Sequence, residues 1–467
     1  MPILGIIAPL LKAGVINNVY WLGYFWGATL WLMGALTFYL ILTTIRNASR
    51  EKILKTVSAF FTLNIIISLL QLALIMKQAH SLVPYWVLDT GEKFGTSTGD
   101  NIYGISGNSS ITNAAISSAG VIYFLLNGNL KMVIACTFIV LLCTSNLSII
   151  FLGFLLVLIL IFSRSLKIKM HTLIAVIVLC IYPALSPANI DYIKNTAKNL
   201  AHPPTVGQKQ KRNENRRGFF SSPDYLPTFY TSYHPTEQTS RFYIAQLKAM
   251  GKSDAGSTAG KGGAKLDSVV VGHYFAILYG HSVAESPLAG YSKSGKIFSY
   301  HQTVHFLKGS YTDMILGAGI GRFSSKTAVK MTGLSLQGKY PSGYVYASPE
   351  FFQNHLYTIL YYLSKDVSYH SVINFPDSVY NQIAGEYGFL GIVAFAFLYL
   401  YFFVNRKRKY NYGYYLLILT LLFFGLEYWF EDISFTVVFE LLMLLDIFTP
   451  QNKNVANSAS NSINARI

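Results

Sequence analysis

Residues 377–391 read Asp377-Ser378-Val379-Tyr380-Asn381-Gln382-Ile383-Ala384-Gly385-Glu386-Tyr387-Gly388-Phe389-Leu390-Gly391, and the chain runs on from there through an apolar stretch ending at Val404. An acidic segment punctuated by tyrosine and glycine thus sits where a long polar region meets an apolar run of membrane length. The ionisable Glu386 lies at the start of that run. Carboxylates this close to hydrocarbon are costly, so they are paired, water-facing or functional. The junction predicts a chain whose polar region feeds directly into membrane helices.

Composition points the same way. Of the 467 residues, 52% are hydrophobic and 15% aromatic, while the 12% that are charged are about half the share usual in soluble domains. An integral membrane protein is expected, with the lipid bilayer as its first partner. The net charge of +16 lies largely in short clusters beside apolar runs, where it reports orientation; no nucleic-acid partner is expected. Cys136, Cys143 and Cys180 all fall inside apolar runs, which leaves the polar region without a disulfide or a cysteine metal site. The N-terminus lacks the basic start and small-residue cleavage site of a secretory signal.

Nine apolar runs are candidate spans: 21–45, 57–76, 111–127, 130–144, 147–163, 172–187, 383–404, 412–430 and 432–448. Several are short, which calls for tilting or for packing against longer neighbours. Residues 3–16 are apolar but interrupted by Lys12, and read either as an interfacial or re-entrant segment or as a tenth span. Basic clusters follow the first run (Arg46, Arg50, Lys52, Lys55), the fifth (Arg164, Lys167, Lys169) and the seventh (Arg406, Lys407, Arg408, Lys409). Nine spans with an external N-terminus put all three clusters in the cytoplasm and the acidic turn Glu427–Asp432 outside. The expected fold is an all-α polytopic membrane protein of nine to ten transmembrane helices with one large, mainly helical external loop domain. Its parts are N-terminal helices over 1–187, the external domain over 188–376, C-terminal helices over 377–450 and a polar cytoplasmic tail over 451–467.

The external region is uneven. Residues 250–265 are rich in Gly, Ser and Lys, and 209–217 are rich in Lys, Arg and Asn; 219–248, 268–289, 297–316 and 348–374 carry enough apolar content for short helices. Gly256–Gly262 fails as a phosphate loop, being one residue short and holding Gly262 where Ser or Thr is needed. Gly317, Gly319 and Gly321 form a comb that either makes a tight structural turn or presents amides to an anion. Arg241 and Arg322 stand alone among apolar and aromatic residues, each paired with a local carboxylate or held for a phosphate. Eight of the ten histidines lie in 188–376. His301 and His305 have a zinc-compatible spacing but no carboxylate companion, so no metal site is expected. His355 and His370 flank an aromatic segment as candidate acid/base or sugar contacts. Glu440, mid-span in the last run, reads as an inward-facing carboxyl that holds the bundle.

The segment from Asp377 resembles the signature that closes the large external loop of the O-antigen polymerase and ligase family, roughly H/D-N/S-x-Y-x-x-x-x-x-E-x-G-x-x-G. Asp377, Ser378, Tyr380, Glu386, Gly388 and Gly391 fall on it. The comb through Phe323 resembles the family's G-x-G-x-G-x-F element. Gly104–Asn113 resembles its external G-x-x-x-N-x-N segment, and Arg241 is the best match to a loop arginine that precedes the comb. Cys143-Thr144-Ser145-Asn146 departs from the family, with Asn146 where an arginine is common. Asp377 stands where the ligases carry a histidine, which favours a polymerase.

The resemblance implies an external-face enzyme of the bacterial inner membrane that transfers a polyprenyl-diphosphate-linked oligosaccharide to a sugar hydroxyl, in building O-antigen or a related surface polysaccharide. It further implies a chain-length regulator protein as partner. A lipid diphosphate is already a good leaving group, so no cofactor or metal is needed; the chain must supply cations and a base. Arg241 and Arg322 are expected as the cations and Asp377 as the base, with Glu386 behind it or as the alternative base. Gly317, Gly319, Gly321, His355, His370 and Tyr380 are expected to contact substrate. The rivals are an O-antigen ligase or protein oligosaccharyltransferase and, from another class, a non-enzymatic lipid-glycan flippase.

Overall fold

A computed structural model of the protein describes residues 1–11, 19–85, 98–107, 109–180, 286, 288, 294–334, 340–341, 344–365, 371–406 and 410–448. Among them all regular structure is helical. Arg241, His370, the basic run 209–217, the stretch 250–265, most of 188–293 and the tail 451–467 lie outside the described residues.

Each of the nine apolar runs contains a helix within its described part. In chain order the helices are α1 (Pro2–Leu11), α2 (Tyr20–Asn47), α3 (Arg50–Ala79), α4 (Ser110–Leu126), α5 (Leu130–Leu142), α6 (Asn146–Phe162) and α7 (Leu166–Leu179). Beyond the long polar region come α8 (Gly295–Gly309), α9 (Tyr311–Leu316), α10 (Lys326–Met331) and α11 (349–363). The last three are α12 (Val379–Ala394, continuing to Val404 through a π-helical stretch at Phe395–Leu400), α13 (Gly413–Phe423) and α14 (Ile433–Phe448). Among the described residues three helices are long and apolar enough to cross a membrane: Tyr20–Asn47, Arg50–Ala79 and Val372–Val404. Shorter apolar helices pack among them, α4 on α5, α2 on α14, and α6 on α7 and α13. Leu36, Leu40, Leu70, Leu74, Phe154, Ile161, Phe397 and Leu398 point outward and exposed, an apolar exterior suited to lipid rather than water. The protein is therefore membrane-associated, and its described regular structure is all helical.

One expectation needs correction. The run 412–430 is helical only to Phe423; residues 424–432 turn back, with Trp429 Nε1 donating to the Phe423 carbonyl at 2.6 Å. Of 3–16, the described part is α1, a ten-residue helix about 15 Å long and so half a bilayer core, in keeping with the interfacial or re-entrant alternative. It packs against α9, α12 and α2, and residues 12–16 lie outside the described residues.

Serine starts many of these helices. Ser109, Ser165, Ser294, Ser310, Ser325, Ser348 and Ser378 each accept a backbone N–H from the first turn of the helix that follows. Such a cap satisfies a donor that the helix itself leaves unpaired.

Candidate functional site

The comb and α12 form one unit of backbone. Gly388, at φ 60° and ψ −155°, breaks the regular course of α12 and with it the ladder that would satisfy the carbonyls one turn earlier. The comb supplies what is missing. Ala318 N–H donates to the Gly385 carbonyl at 2.8 Å and Gly319 N–H to the Glu386 carbonyl at 2.9 Å. Gly321 N–H then donates to Glu386 Oε1 at 2.9 Å. Helices α1 and α2 close the other side, α1 with its Gly5 carbonyl accepting from Ile320 N–H at 3.2 Å and α2 with the Tyr20 hydroxyl donating to the Ile320 carbonyl at 2.8 Å. The comb does hold a carboxyl, the chain's own Glu386. Its described amides are spent within the fold, which corrects the expectation that Gly317, Gly319 and Gly321 meet substrate. Glu386 is wholly buried and ties α12 to the comb. Phe323 fills the space beside Gly385 and stacks on Phe306 at 4.5 Å between ring centroids.

Asp377 sits at the edge of this unit, and its neighbours are held from every side. The Pro376 carbonyl accepts from Asn381 Nδ2 at 2.9 Å, and Asn381 Oδ1 accepts from Thr303 Oγ1 at 2.8 Å. Lys296 Nζ donates to the Asp377 carbonyl. Ser378 Oγ meets the Tyr300 hydroxyl at 3.0 Å and donates to the Phe424 carbonyl at 3.2 Å, while Val379 N–H donates to the same carbonyl at 2.9 Å. The cap of α12 is Ser378, whose Oγ accepts from Tyr380 N–H at 3.1 Å. The Asp377 carboxyl therefore has no capping duty. It is reached by the Tyr428 hydroxyl, which also meets Ser324 Oγ at 3.1 Å. A carboxyl fixed by so much backbone has little reorganisation left to do.

Around it lie charges that the sequence did not mark as a site. The 424–432 turn brings in Glu427, Glu431 and Asp432, α8 brings Lys296 and α10 brings Lys326. Glu431 accepts Thr327 N–H at 2.8 Å, Thr327 Oγ1 at 3.2 Å and Gln382 Nε2 at 3.1 Å, joining α10, α12 and the turn. Asp432 Oδ2 accepts from Thr112 Oγ1 at 3.1 Å and ties in α4. Burial raises Glu427 to about 8, with Asp377 adding to the rise and Lys326 and Lys296 opposing it. Burial raises Glu431 to about 7 against the hydrogen bonds from Thr327. Burial lowers Lys296 to about 8, although the Asp377 and Glu427 carboxyls favour its charged form. Ionisable groups shifted by burial and gathered around one fixed carboxyl mark this as the candidate site.

The other expected residues fall differently. Arg322 is fully buried and its Nη2 is forked onto Glu350 Oε1 and Oε2 at 3.2 and 3.1 Å. This chooses the local carboxylate over a phosphate for that edge. Removing one partner of such a buried pair costs about 3–5 kcal/mol. His355 is buried against Phe323, its Nε2 beside Thr303 Oγ1 and the Ser299 carbonyl, both at 3.3 Å. Burial lowers it to about 3, which favours the neutral ring, and its Nε2 braces Thr303. Tyr380 is partly exposed and donates to the Leu421 carbonyl at 2.6 Å, fastening α12 to α13. In Gly104–Asn113, Asn113 is spent inside the fold: Nδ2 donates to Ser68 Oγ at 3.0 Å and to the Ile102 carbonyl at 3.1 Å, and Oδ1 accepts from Asn64. Glu440 accepts from the Tyr399 hydroxyl at 3.0 Å, as expected of an inward-facing carboxyl. Among the described residues no three His, Cys, Asp or Glu side chains are gathered as a metal would need them.

Lys296, Lys326, Glu427 and Glu431 were missed because none stands in a motif. The signal available was the placement of Glu427 and Glu431 in an acidic turn beside apolar helices, where each carboxyl needs a reason to be buried. No family model, curated protein or solved structure matches the chain.

Proposed function

We propose that the chain is a polysaccharide polymerase of the O-antigen type, acting at the external face of a bacterial inner membrane on a polyprenyl-diphosphate-linked oligosaccharide. The observation that carries this reading is the fixed, buried Asp377 at the head of a membrane helix, with Lys296 and Lys326 as neighbouring cations. In the proposed step an acceptor sugar hydroxyl attacks the anomeric carbon of the lipid-linked glycan. The new glycosidic C–O bond forms as the anomeric C–O bond to diphosphate breaks. The hydroxyl proton passes to the Asp377 carboxylate, and the electron pair leaves on the lipid diphosphate. Lys326, half-buried and not committed to main-chain carbonyls as Lys296 is, is the described cation best placed to meet that charge. Arg241 remains the cation that the resemblance implies, and Arg322 contributes by holding the comb's neighbour Glu350.

The reading includes nine spans with an external N-terminus, and residues 188–376 outside. Reporter fusions at Lys52, Lys167 and Lys407 are expected to be cytoplasmic, and one near Gly260 external. A cytoplasmic signal at Gly260 sinks the topology and the function with it, because donor and acceptor then lie on the wrong side.

The function itself is tested with purified protein in liposomes supplied with polyprenyl-diphosphate oligosaccharide. A ladder of products growing by whole repeat units is the expected result. A single addition to a foreign acceptor identifies a ligase, and lipid-linked glycan crossing the bilayer with no new bond identifies a flippase.

A further inference from the structure

Lys296 stands in the first turn of α8, and its side chain leaves the external helices for the end of the bundle. It is buried, and its Nζ donates to two main-chain oxygens, those of Asp377 and of Leu426, the latter at 3.0 Å. Asp377 immediately precedes α12 and Leu426 lies in the 424–432 turn, so one ammonium joins two segments that also meet at the shared Phe424 carbonyl and through Gln382 on Glu431. Burying an ammonium merely to hold two neutral carbonyls is expensive. The compensation is electrostatic: Asp377 and Glu427 are the carboxyls that act on it. The remaining titratable groups turned towards this station are Lys326 from α10, which acts on both carboxyls, and Asp432 and Tyr428 from the turn. From α11 comes His355, which feels the amine's charge but is itself neutral. Tyr300, one turn along α8, is engaged with Ser378.

We infer that Lys296 is the positioning residue of the site, clasping the Asp377 carbonyl to the Leu426 carbonyl and holding the Asp377 and Glu427 carboxyls in one charge-balanced station. Its importance to turnover rests on the transfer reaction proposed above; the clasp and the charge balance do not. A lysine suits both tasks, being a compact point charge with three donors, where the planar fork of arginine would have to displace one of the two segments.

The test uses the full chain in lipid nanodiscs and a hydrophobic carbodiimide, which modifies only protonated carboxyls. Labelling of Asp377 and Glu427 is mapped by peptide mass spectrometry across pH in the wild type, Lys296→Gln and Lys296→Arg. Gln keeps amide donors for the carbonyls without the charge, and so spares the fold where an apolar residue would not. An opposite charge nearby favours the ionised carboxyl, so its loss in Lys296→Gln is expected to move the labelling midpoint up by about one pH unit or more. Lys296→Arg keeps the charge and is expected to stay near the wild-type midpoint. In glycan transfer both variants are expected to lose about 10²-fold in kcat with the donor KM unchanged, as displacement of a reacting group does. A wild-type midpoint in Lys296→Gln, or wild-type kcat in either variant, overturns the assignment. A shifted midpoint in a protein that transfers no glycan at all upholds the clasp and rejects the polymerase reading instead.

Discussion

Asp377→Asn is expected to slow single-turnover transfer of lipid-linked glycan by about 10²–10⁴-fold, the contribution typical of a positioned base. Asn has the same size and keeps the hydrogen-bonding capacity that faces Tyr428, but it cannot take up the hydroxyl proton. Folded protein is expected in normal amount, because the fastening of this turn runs through the Pro376 and Asp377 carbonyls and Ser378 Oγ, none of which the substitution touches. Asp377→His is expected to retain part of the rate, since the resemblance places histidine there in the ligases. The competing account, in which Asp377 caps α12, predicts a near-normal rate for Asn, itself a good cap. Ser378 already fills that position. Single-turnover rates at saturating donor separate the two accounts, and a near-normal rate in Asp377→Asn removes Asp377 as the base.

Gly317→Ala is expected to have the largest effect on folding. A Cβ at Gly317 would lie 2.5 Å from the Glu386 carbonyl carbon, 2.6 Å from Tyr387 N and 2.7 Å from the Gly385 carbonyl oxygen. All three are backbone and cannot rotate away. The residue's φ of 70° adds conformational strain that alanine cannot relieve. Strain and overpacking each cost about 1–3 kcal/mol, so together they remove a large part of what a marginally stable fold possesses. Gly388→Ala meets the same obstacle from the opposite side, 2.6 Å from Gly317 N. Gly34→Ala, with nothing within 4 Å, is the control. Thermal unfolding in detergent and the yield of membrane-inserted protein are the measurements. A Gly317→Ala variant as stable as Gly34→Ala would show that comb and α12 do not lock.

Much of the helical framework could be read from the chain, because a membrane helix announces itself by length and apolarity, and because serine so often marks its first turn. The inward-facing Glu440 was equally legible, since a mid-span carboxyl has few other options. The site was only half legible. The position of Asp377 and the glycine spacing of 385–391 were visible, but the use of those glycines was not. A comb of amides looks the same in sequence whether it awaits a phosphate or completes a broken helix much further along the chain, and only the kink at Gly388 decides between them. Arg322 looked solitary because Glu350 is 28 residues away in sequence. Lys296 and Lys326 looked like ordinary solvated lysines, since burial of a single residue in a polar segment has no periodic signature. Glu427 and Glu431 were read only as markers of sidedness. Charge that is buried by long-range packing leaves no local trace.

The lock between comb and α12 also governs timing. Synthesis delivers Ala318, Gly319 and Gly321 before the Gly385 and Glu386 oxygens that receive their amides exist. Helices α1 and α2 wait too: the Gly5 carbonyl of α1 and the Tyr20 hydroxyl of α2, 300 residues before its partner, both meet Ile320. Until Gly388 has left the ribosome, the amides of Ala318, Gly319 and Gly321 lack the acceptors they hold in the fold, and α1 lacks the face that α12 gives it. The segments that enclose the site around Asp377 thus come together only once α12 has been made.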